Sequence, residues 1–137
     1  MKEIKFRAWL IEEKKFAEIE TINFKDKRIT VAPYGLWHDF DKIVLEQFVG
    51  LKDKNGKDIY EGDIVKVSYK ERRKEWEGKD KWNYWDNIEN IVFIYGGFMF
   101  HMVVFDTDMY RPMMPMFNNC ELNGIEVIGN IHENKGE

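Results

Sequence analysis

Few side chains in this sequence stand at spacings that support catalysis or metal binding. The three histidines lie far apart and form no His-x-His or His-x₃-His pair. Residues 38–41, His-Asp-Phe-Asp, are the densest group of possible metal ligands. The more common structure for such a group is a solvated loop that binds no metal. We therefore expect no metal and no cofactor. The histidines are His38, His101 and His132.

Nucleophilic and phosphate-binding chemistry also lack support. The single cysteine, Cys120, has no neighbouring histidine in sequence to activate it. The pair Gly96-Gly97 is not followed by the Lys-Ser/Thr of a phosphate-binding loop, and no nucleophile elbow is present. These observations predict that the protein is not an enzyme, and they point to no known small-molecule ligand.

Residues 66–86 are the strongest candidate for binding a macromolecular partner. Between residues 66 and 81, seven Lys and Arg outnumber four Asp and Glu, although the whole chain has a net charge of −4. Cations with interleaved aromatic rings suit single-stranded nucleic acid. The same residue types are enriched at protein interfaces, and large aromatic residues near strands also pack into cores, so all three alternatives stay open. The candidate contact residues are Arg72, Arg73, Trp76, Trp82 and Trp85.

Size and composition limit the class of protein. At 137 residues and 44% hydrophobic content, we expect one folded domain, residues 1–137. The negative net charge gives no general attraction to phosphate backbones or anionic lipid. No apolar run approaches the roughly 18–20 residues that cross a bilayer, and the start of the chain has no signal-peptide pattern. A lone cysteine does not imply an oxidising compartment, so we expect a cytoplasmic protein without membrane contact.

The elements that must position these residues are predicted to be strands. The apolar pattern of residues 43–49 alternates with a period of two, and Asp53 with Asn55-Gly56 supplies the chemistry of a hairpin turn. A second turn is predicted at Gly62, before an extended pattern at 64–69. The oxygen-bearing residues near Asp53 lack the remaining ligands of an EF-hand, so we expect no calcium there.

The rest of the chain fits the same fold class. Residues 35–42 are predicted to be an exposed connection, whereas 69–78 fits either a short helical turn or a long hairpin extension. Two prolines argue against a central strand at 109–117, whose methionines offer a second adaptable apolar surface. We predict an all-β, barrel-like domain with at most one or two short helices. Further strands are expected at 4–10, 15–24, 28–34, 91–95, 98–105 and 125–131, with positive φ at Gly96 and Gly97 and a bulge at Gly129.

Three blocks carry a family signal: Phe-Arg-Ala-Trp at 6–9, the turn-rich stretch 47–65, and Glu-Val-Ile-Gly-Asn-Ile-His-Glu-Asn at 126–134. In order and position they resemble the YopX family of phage- and prophage-encoded proteins. That family often has an acidic residue after the Trp and a Thr before the Gly of the central block, where this chain has Leu10 and Val49. No pattern of the family aligns with the middle of the chain.

The resemblance implies a mostly β fold and an origin in a bacteriophage or prophage, and it implies no activity. Within the matching blocks, Arg7, Asp53 and Asp63 are either buried polar partners or an exposed site. The predicted core residues are Phe6, Trp9, Ile59, Tyr60, Ile64 and Ile128.

The preferred hypothesis is a non-enzymatic module that binds a protein partner or self-associates. The alternative is an accessory protein that binds nucleic acid through residues 66–86. An enzyme of unknown class is the third hypothesis, and it would need clustered titratable groups in a deep pocket.

Overall fold

The computed structural model describes residues 3–74, 78, 80–113, 116–117 and 120–133. In that part of the chain the regular elements are thirteen β-strands and a three-residue 3-10 helix, Phe40–Lys42. The strands form three sheets in which all pairings are antiparallel. The predicted all-β fold is confirmed.

The largest sheet has six strands in the order β11-β10-β9-β8-β13-β12. If the sheet were flat, its two edge strands would lie five strand spacings apart, or about 24 Å. The edge strands β11 and β12 follow one another in the chain, and the step from Pro112 to Met116 spans at most about 14 Å. The sheet therefore curls. Its strands are β8 (Asp63–Lys74), β9 (Asp80–Ile94), β10 (Gly97–Val104), β11 (Thr107–Pro112), β12 (Met116–Phe117) and β13 (Cys120–Asn130).

A four-stranded and a three-stranded sheet make up the rest of the fold, in the orders β2-β1-β6-β7 and β3-β4-β5. They enclose one apolar core that includes Ala8, Ile29 and Ile43, and a second core lies on the concave side of the six-stranded sheet. The strands are β1 (Phe6–Leu10), β2 (Lys15–Ala17), β3 (Ile19–Asn23), β4 (Arg28–Val31), β5 (Leu36–Asp39), β6 (Ile43–Lys52) and β7 (Asp58–Tyr60).

Two predictions about the extent of strands were wrong. Residues 35–42 are not a simple connection, because β5 pairs with β4 through its backbone although its side chains show no apolar alternation. The strand expected at 15–24 is divided at Glu18, whose carbonyl accepts a hydrogen bond from the Ala32 amide at 2.9 Å as the chain passes between sheets.

The long hairpin alternative holds for residues 69–74. Tyr69 pairs with Trp85 and Lys74 with Asp80, so β8 and β9 continue as a two-stranded ribbon. The helical composition of this stretch is overridden by cross-strand pairing, since its charged residues suit a solvated ribbon equally well.

The turns follow the sequence prediction at one hairpin and depart from it at another. Gly56 has φ +82° in the predicted turn between β6 and β7. In the turn between β9 and β10, however, positive φ falls on Tyr95 (+53°) and Gly96 (+78°), while Gly97 already belongs to β10. The pairing of Gly97 with Ile94 fixes this two-residue loop.

The predicted bulge at Gly129 is confirmed by a register shift between Val127 and Gly129. Ile128, predicted as core, is 47% exposed, because Val127 lies opposite the buried Val65 and the next side chain along the strand points to the other face. Trp9 and Ile59 are buried as predicted.

Candidate functional site

Arg7 on β1 contacts acidic groups from two other parts of the chain. Its Nε donates to Glu46 Oε1 at 3.1 Å, and its Nη2 lies 2.9 Å from Asp63 Oδ1. The guanidinium carbon lies 4.2 Å and 4.7 Å from the ring centroids of Phe16 and Tyr60. Its charge is thus paired in its plane and covered on its faces by aromatic rings.

His132 approaches the same group from the C-terminal block. Its Nε2 lies 3.1 Å from Glu46 Oε2, so Glu46 bridges His132 and Arg7. The imidazole stacks on Trp9, with centroids 4.9 Å apart and an interplanar angle of 10°. We refer to Arg7, Glu46, Asp63 and His132 as the Arg7 cluster.

The turn at Gly62 places two members of this cluster. Gly62 has φ +86°, and a Cβ atom at this position would collide with the Glu46 carboxylate. The next residue, Asp63, directs Oδ2 back to accept the Tyr60 amide at 2.8 Å. Glycine is needed here both for the backbone angle and for the space that Glu46 occupies.

Burial sets the electrostatics of the two carboxylates. It raises the pKa of Glu46, and the charges of Arg7 and His132 offset that effect only in part. Burial likewise raises the pKa of Asp63. The hydrogen bond from the Tyr60 amide and the charge of Arg7 lower this pKa, but by less than burial raises it. Desolvation of these carboxylates therefore outweighs the attraction of their partners.

The two carboxylates of the Arg7 cluster are fully paired within the protein. Both oxygens of Glu46 and both oxygens of Asp63 accept from groups within the protein. The side chains of Arg7 and Asp63 are only 16% and 2% exposed, so the buried alternative predicted from the sequence is correct for both. Such a paired arrangement links four stretches of chain, around residues 7, 46, 63 and 132.

Asp53 has a comparable structural role in the turn between β6 and β7. Its Oδ1 accepts the amides of Asn55 and Lys57 at 2.9 Å each, and its Oδ2 accepts the Val127 amide at 3.0 Å. Burial would raise the pKa of Asp53, but these amide bonds outweigh it and lower the pKa. Asp53 is therefore a buried partner that fixes the turn against β13.

A second charged group lies on the concave side of the six-stranded sheet. The Glu89 side chain is fully buried; it accepts from the Tyr69 hydroxyl at 2.9 Å and forms an ion pair with Arg111. The Arg111 guanidinium lies 4.7 Å over the Tyr69 ring. Sequence reasoning missed this group, since 20 residues separate Tyr69 from Glu89 and no motif joins them.

The convex side of the same sheet, here called the outer face, carries the exposed part of the predicted contact segment. Cross-strand pairing places Arg72 opposite Trp82 and Lys70 opposite Tyr84. The Lys70 ammonium lies 4.8 Å over the Trp82 ring, and Tyr84 is 64% exposed. On β8 and β9 the outer face comprises Ile64, Lys66, Ser68, Lys70, Arg72, Trp82, Tyr84, Asp86, Ile88 and Asn90.

The five predicted contact residues do not form one surface. Trp85 lies on the concave side, where its ring stacks on Tyr69 with centroids 5.6 Å apart and packs against the core. The backbone of Arg73 pairs with that of Lys81, but the Arg73 side chain lies outside the described part of the structure. Trp76 lies outside the described residues. Arg72 and Trp82 remain together on the outer face.

An apolar groove of about 430 Å³ borders that basic and aromatic stretch. Ile88 and Val103, which line it, are 56% and 60% exposed. At its polar border, His101 lies 2.9 Å from Asn90 Oδ1 and 2.8 Å from Asp108 Oδ1. The groove can accept an apolar side chain of a partner beside fixed polar groups.

The remaining sequence candidates are not assembled into a site. His38 lies on β5, and within the described ranges no three His, Cys, Asp or Glu side chains are grouped so as to hold a metal. The Cys120 side chain lies outside the described part. Among the residues whose placement is described, no helix is long and apolar enough to cross a membrane.

The geometry brings together the three sequence blocks that carry the family signal. Arg7 belongs to the first block, Asp63 to the second and His132 to the third, and the Arg7 cluster joins them. A family model described as YopX protein matches residues 5–136. The chain belongs to the YopX family.

A solved structure supports the fold of this YopX-family protein. This chain is similar to the crystal structure of protein EF1440 from Enterococcus faecalis, with a TM-score of 0.59 and 24% sequence identity. The match covers 99% of this chain and 98% of that chain. No curated protein matches the sequence.

Proposed function

We propose that this YopX-family protein is a non-enzymatic interaction module that binds a protein partner and self-associates. The observation that carries the proposal is the outer face, where Tyr84, Ile88 and Val103 are each more than half exposed beside an apolar groove. Exposed apolar groups with a polar border are typical of surfaces that bind other proteins. The internally paired carboxylates of the Arg7 cluster support a role without catalysis.

Site-specific photocrosslinking in the cell that expresses the protein tests the outer face. A photoreactive phenylalanine analogue at Tyr84 is expected to give a discrete protein adduct that Ile88→Asp abolishes. The same analogue at Phe24, which is 69% exposed in the turn between β3 and β4, is the control. Equal adducts at both positions, or none at Tyr84, would contradict the proposal.

Light scattering tests self-association. A mass above the 16.5 kDa of one chain is expected as the concentration rises into the high micromolar range. A constant monomer mass across that range would exclude this part of the proposal.

Nucleic acid binding is the second candidate, and the cross-strand register favours it. Lys66, Lys70 and Arg72 share the outer face with Trp82 and Tyr84, which combines cations with stacking rings. Asp86 lies on the same face and reduces its positive charge.

Fluorescence anisotropy with a labelled single-stranded oligonucleotide tests this candidate. Binding should weaken as salt increases, and the pair Lys70→Glu and Arg72→Glu should weaken it roughly tenfold or more. The matched control is Lys25→Glu with Lys27→Glu in an exposed turn. No binding at about 50 mM salt would end this candidate.

We also propose that the gene belongs to a bacteriophage or prophage and that the protein acts in the host cytoplasm. The family to which the chain belongs supports the first statement, because the three sequence blocks resemble proteins encoded by phages and prophages. Neighbouring genes of phage type would agree with the first statement. Cell fractionation that places the protein outside the cytoplasm would contradict the second.

A further inference from the structure

The strand β5 has an open side. It ends the three-stranded sheet, and no strand of the described ranges pairs with its outward side. Leu36 and Trp37 on this strand are 63% and 59% exposed. An uncovered edge with large apolar side chains is a template for pairing with another strand.

The backbone register shows which groups point outward. The Phe40 amide donates to the Lys27 carbonyl at 2.9 Å, so Lys27 and Phe40 are a hydrogen-bonded pair. Such pairs alternate along an antiparallel ladder, which makes His38 and Leu36 the next residues bonded to β4. The amides and carbonyls of Trp37 and Asp39 therefore face the open side.

The cation beside this edge is Arg28. The Arg28 guanidinium lies 4.5 Å over the Trp37 ring, and its Nε is buried without a hydrogen-bond partner. Within the described residues no ion pair of Arg28 is found, although Asp39 lies opposite it on β5. A buried polar atom without a partner calls for an explanation.

We propose that β5 pairs antiparallel with β5 of a second copy of this chain, across a two-fold axis at His38. The two three-stranded sheets then form one continuous six-stranded sheet. This inference rests on the self-association part of the proposed function and assigns it a surface distinct from the outer face.

The edge is self-complementary in this register. Trp37 of each copy lies opposite Asp39 of the other, and the outward groups of both residues exchange four backbone hydrogen bonds. Arg28 and Asp39 of the second copy are then about 12 Å apart at Cα, on the same face of the sheet, which a long arginine side chain can bridge. The cation stacked on Trp37 thus gains an anion from the second copy.

The short strand makes this a weak dimer. The contact buries on the order of 400 Å² per copy, from a four-residue edge strand with one Trp and one Leu. This is below the roughly 800 Å² per partner of a standard interface. We expect a dissociation constant on the order of 100 µM.

A charge-swap mixture tests the contact by sedimentation equilibrium. Arg28→Glu alone and Asp39→Lys alone should each weaken self-association about tenfold, because each places like charges across the two-fold axis. An equimolar mixture of the two variants should restore it, since both contacts then join opposite charges. Mixing cannot repair any defect within one copy, so recovery identifies a contact between copies.

A backbone variant tests the strand pairing itself. Asp39 has φ −71°, which proline adopts without strain, and its amide faces outward, so Asp39→Pro should fold normally while blocking the pairing. Asp39→Asn keeps the amide and should retain more of the association. In the wild type, hydrogen exchange at the Trp37 and Asp39 amides should slow as the concentration rises.

The outcomes separate the two proposals. Self-association that none of the β5 variants changes would overturn the β5 interface and leave the proposed function standing. A wild-type monomer up to about 500 µM would contradict both the interface and the self-association part of the proposed function. Weakening by each single variant without recovery in the mixture would overturn the Arg28–Asp39 contact between copies.

Discussion

The Arg7 cluster and the outer face combine the same residue types with opposite results. Arg7 lies between two aromatic rings, has two carboxylate partners and is 16% exposed. Arg72 lies opposite Trp82 on an exposed ribbon. The two arginines differ in how many parts of the fold surround them. Strands and turns from distant parts of the chain enclose Arg7, whereas Arg72 lies on the two-stranded β8–β9 ribbon. Residue type alone does not separate a structural arginine from a contact residue.

The largest expected effect is the removal of Arg7. Arg7→Met leaves Glu46 and Asp63 buried without their cation, and we expect the free energy of unfolding to fall by about 3–5 kcal/mol. Arg72→Met is the matched control and should change it by less than about 0.5 kcal/mol. Urea denaturation measures both. Equal losses in the two variants would remove the distinction between the regions.

The next effect concerns the space beside Glu46. Gly62→Ala adds both a strained φ and a collision with the Glu46 carboxylate, and we expect a loss of about 2–4 kcal/mol. Gly56→Ala has a similar φ of +82° but nothing within 4 Å of the added Cβ, so about 1 kcal/mol is expected. Thermal and urea unfolding of the two variants compare them directly. If Gly56→Ala cost as much, the collision would play no part.

The smallest effect is a pH dependence carried by Glu46. Because burial raises its folded-state pKa above the ordinary 4.5, the folded state binds more protons in the interval between the two values. The stability of the wild type relative to Glu46→Gln should therefore grow as the pH falls from 7 toward 4.5. Glu20→Gln at an exposed strand position serves as the control. A difference that shrinks over this interval would show that the attraction of Arg7 and His132 outweighs burial.

Local sequence patterns predicted most strands and the turn chemistry of Asp53, since alternation and turn residues act over a few positions. They failed at β5, where Leu36 and Trp37 face solvent and only backbone pairing with β4 makes the strand. They also failed at Tyr95, because the register of the flanking strands decides which residues take positive φ.

The candidate site was only partly predictable. Arg7 and Asp63 stood out because they lie in conspicuous blocks, but their partners carried no local signal. Glu46 is 39 residues from Arg7, and His132 is 86 residues from Glu46. Contacts at such separations come from the packing of whole sheets, which no short window of sequence contains. The two sides of the β8–β9 ribbon likewise became clear only from its register.

The stacking of His132 on Trp9 also has a consequence for biosynthesis. The first strand cannot complete its contacts until His132 has left the ribosome. At typical rates of translation, the interval between these two residues lasts roughly 6–25 s. During that time the face of Trp9 that His132 covers remains available to chaperones, so the rate of synthesis should influence the yield of folded protein.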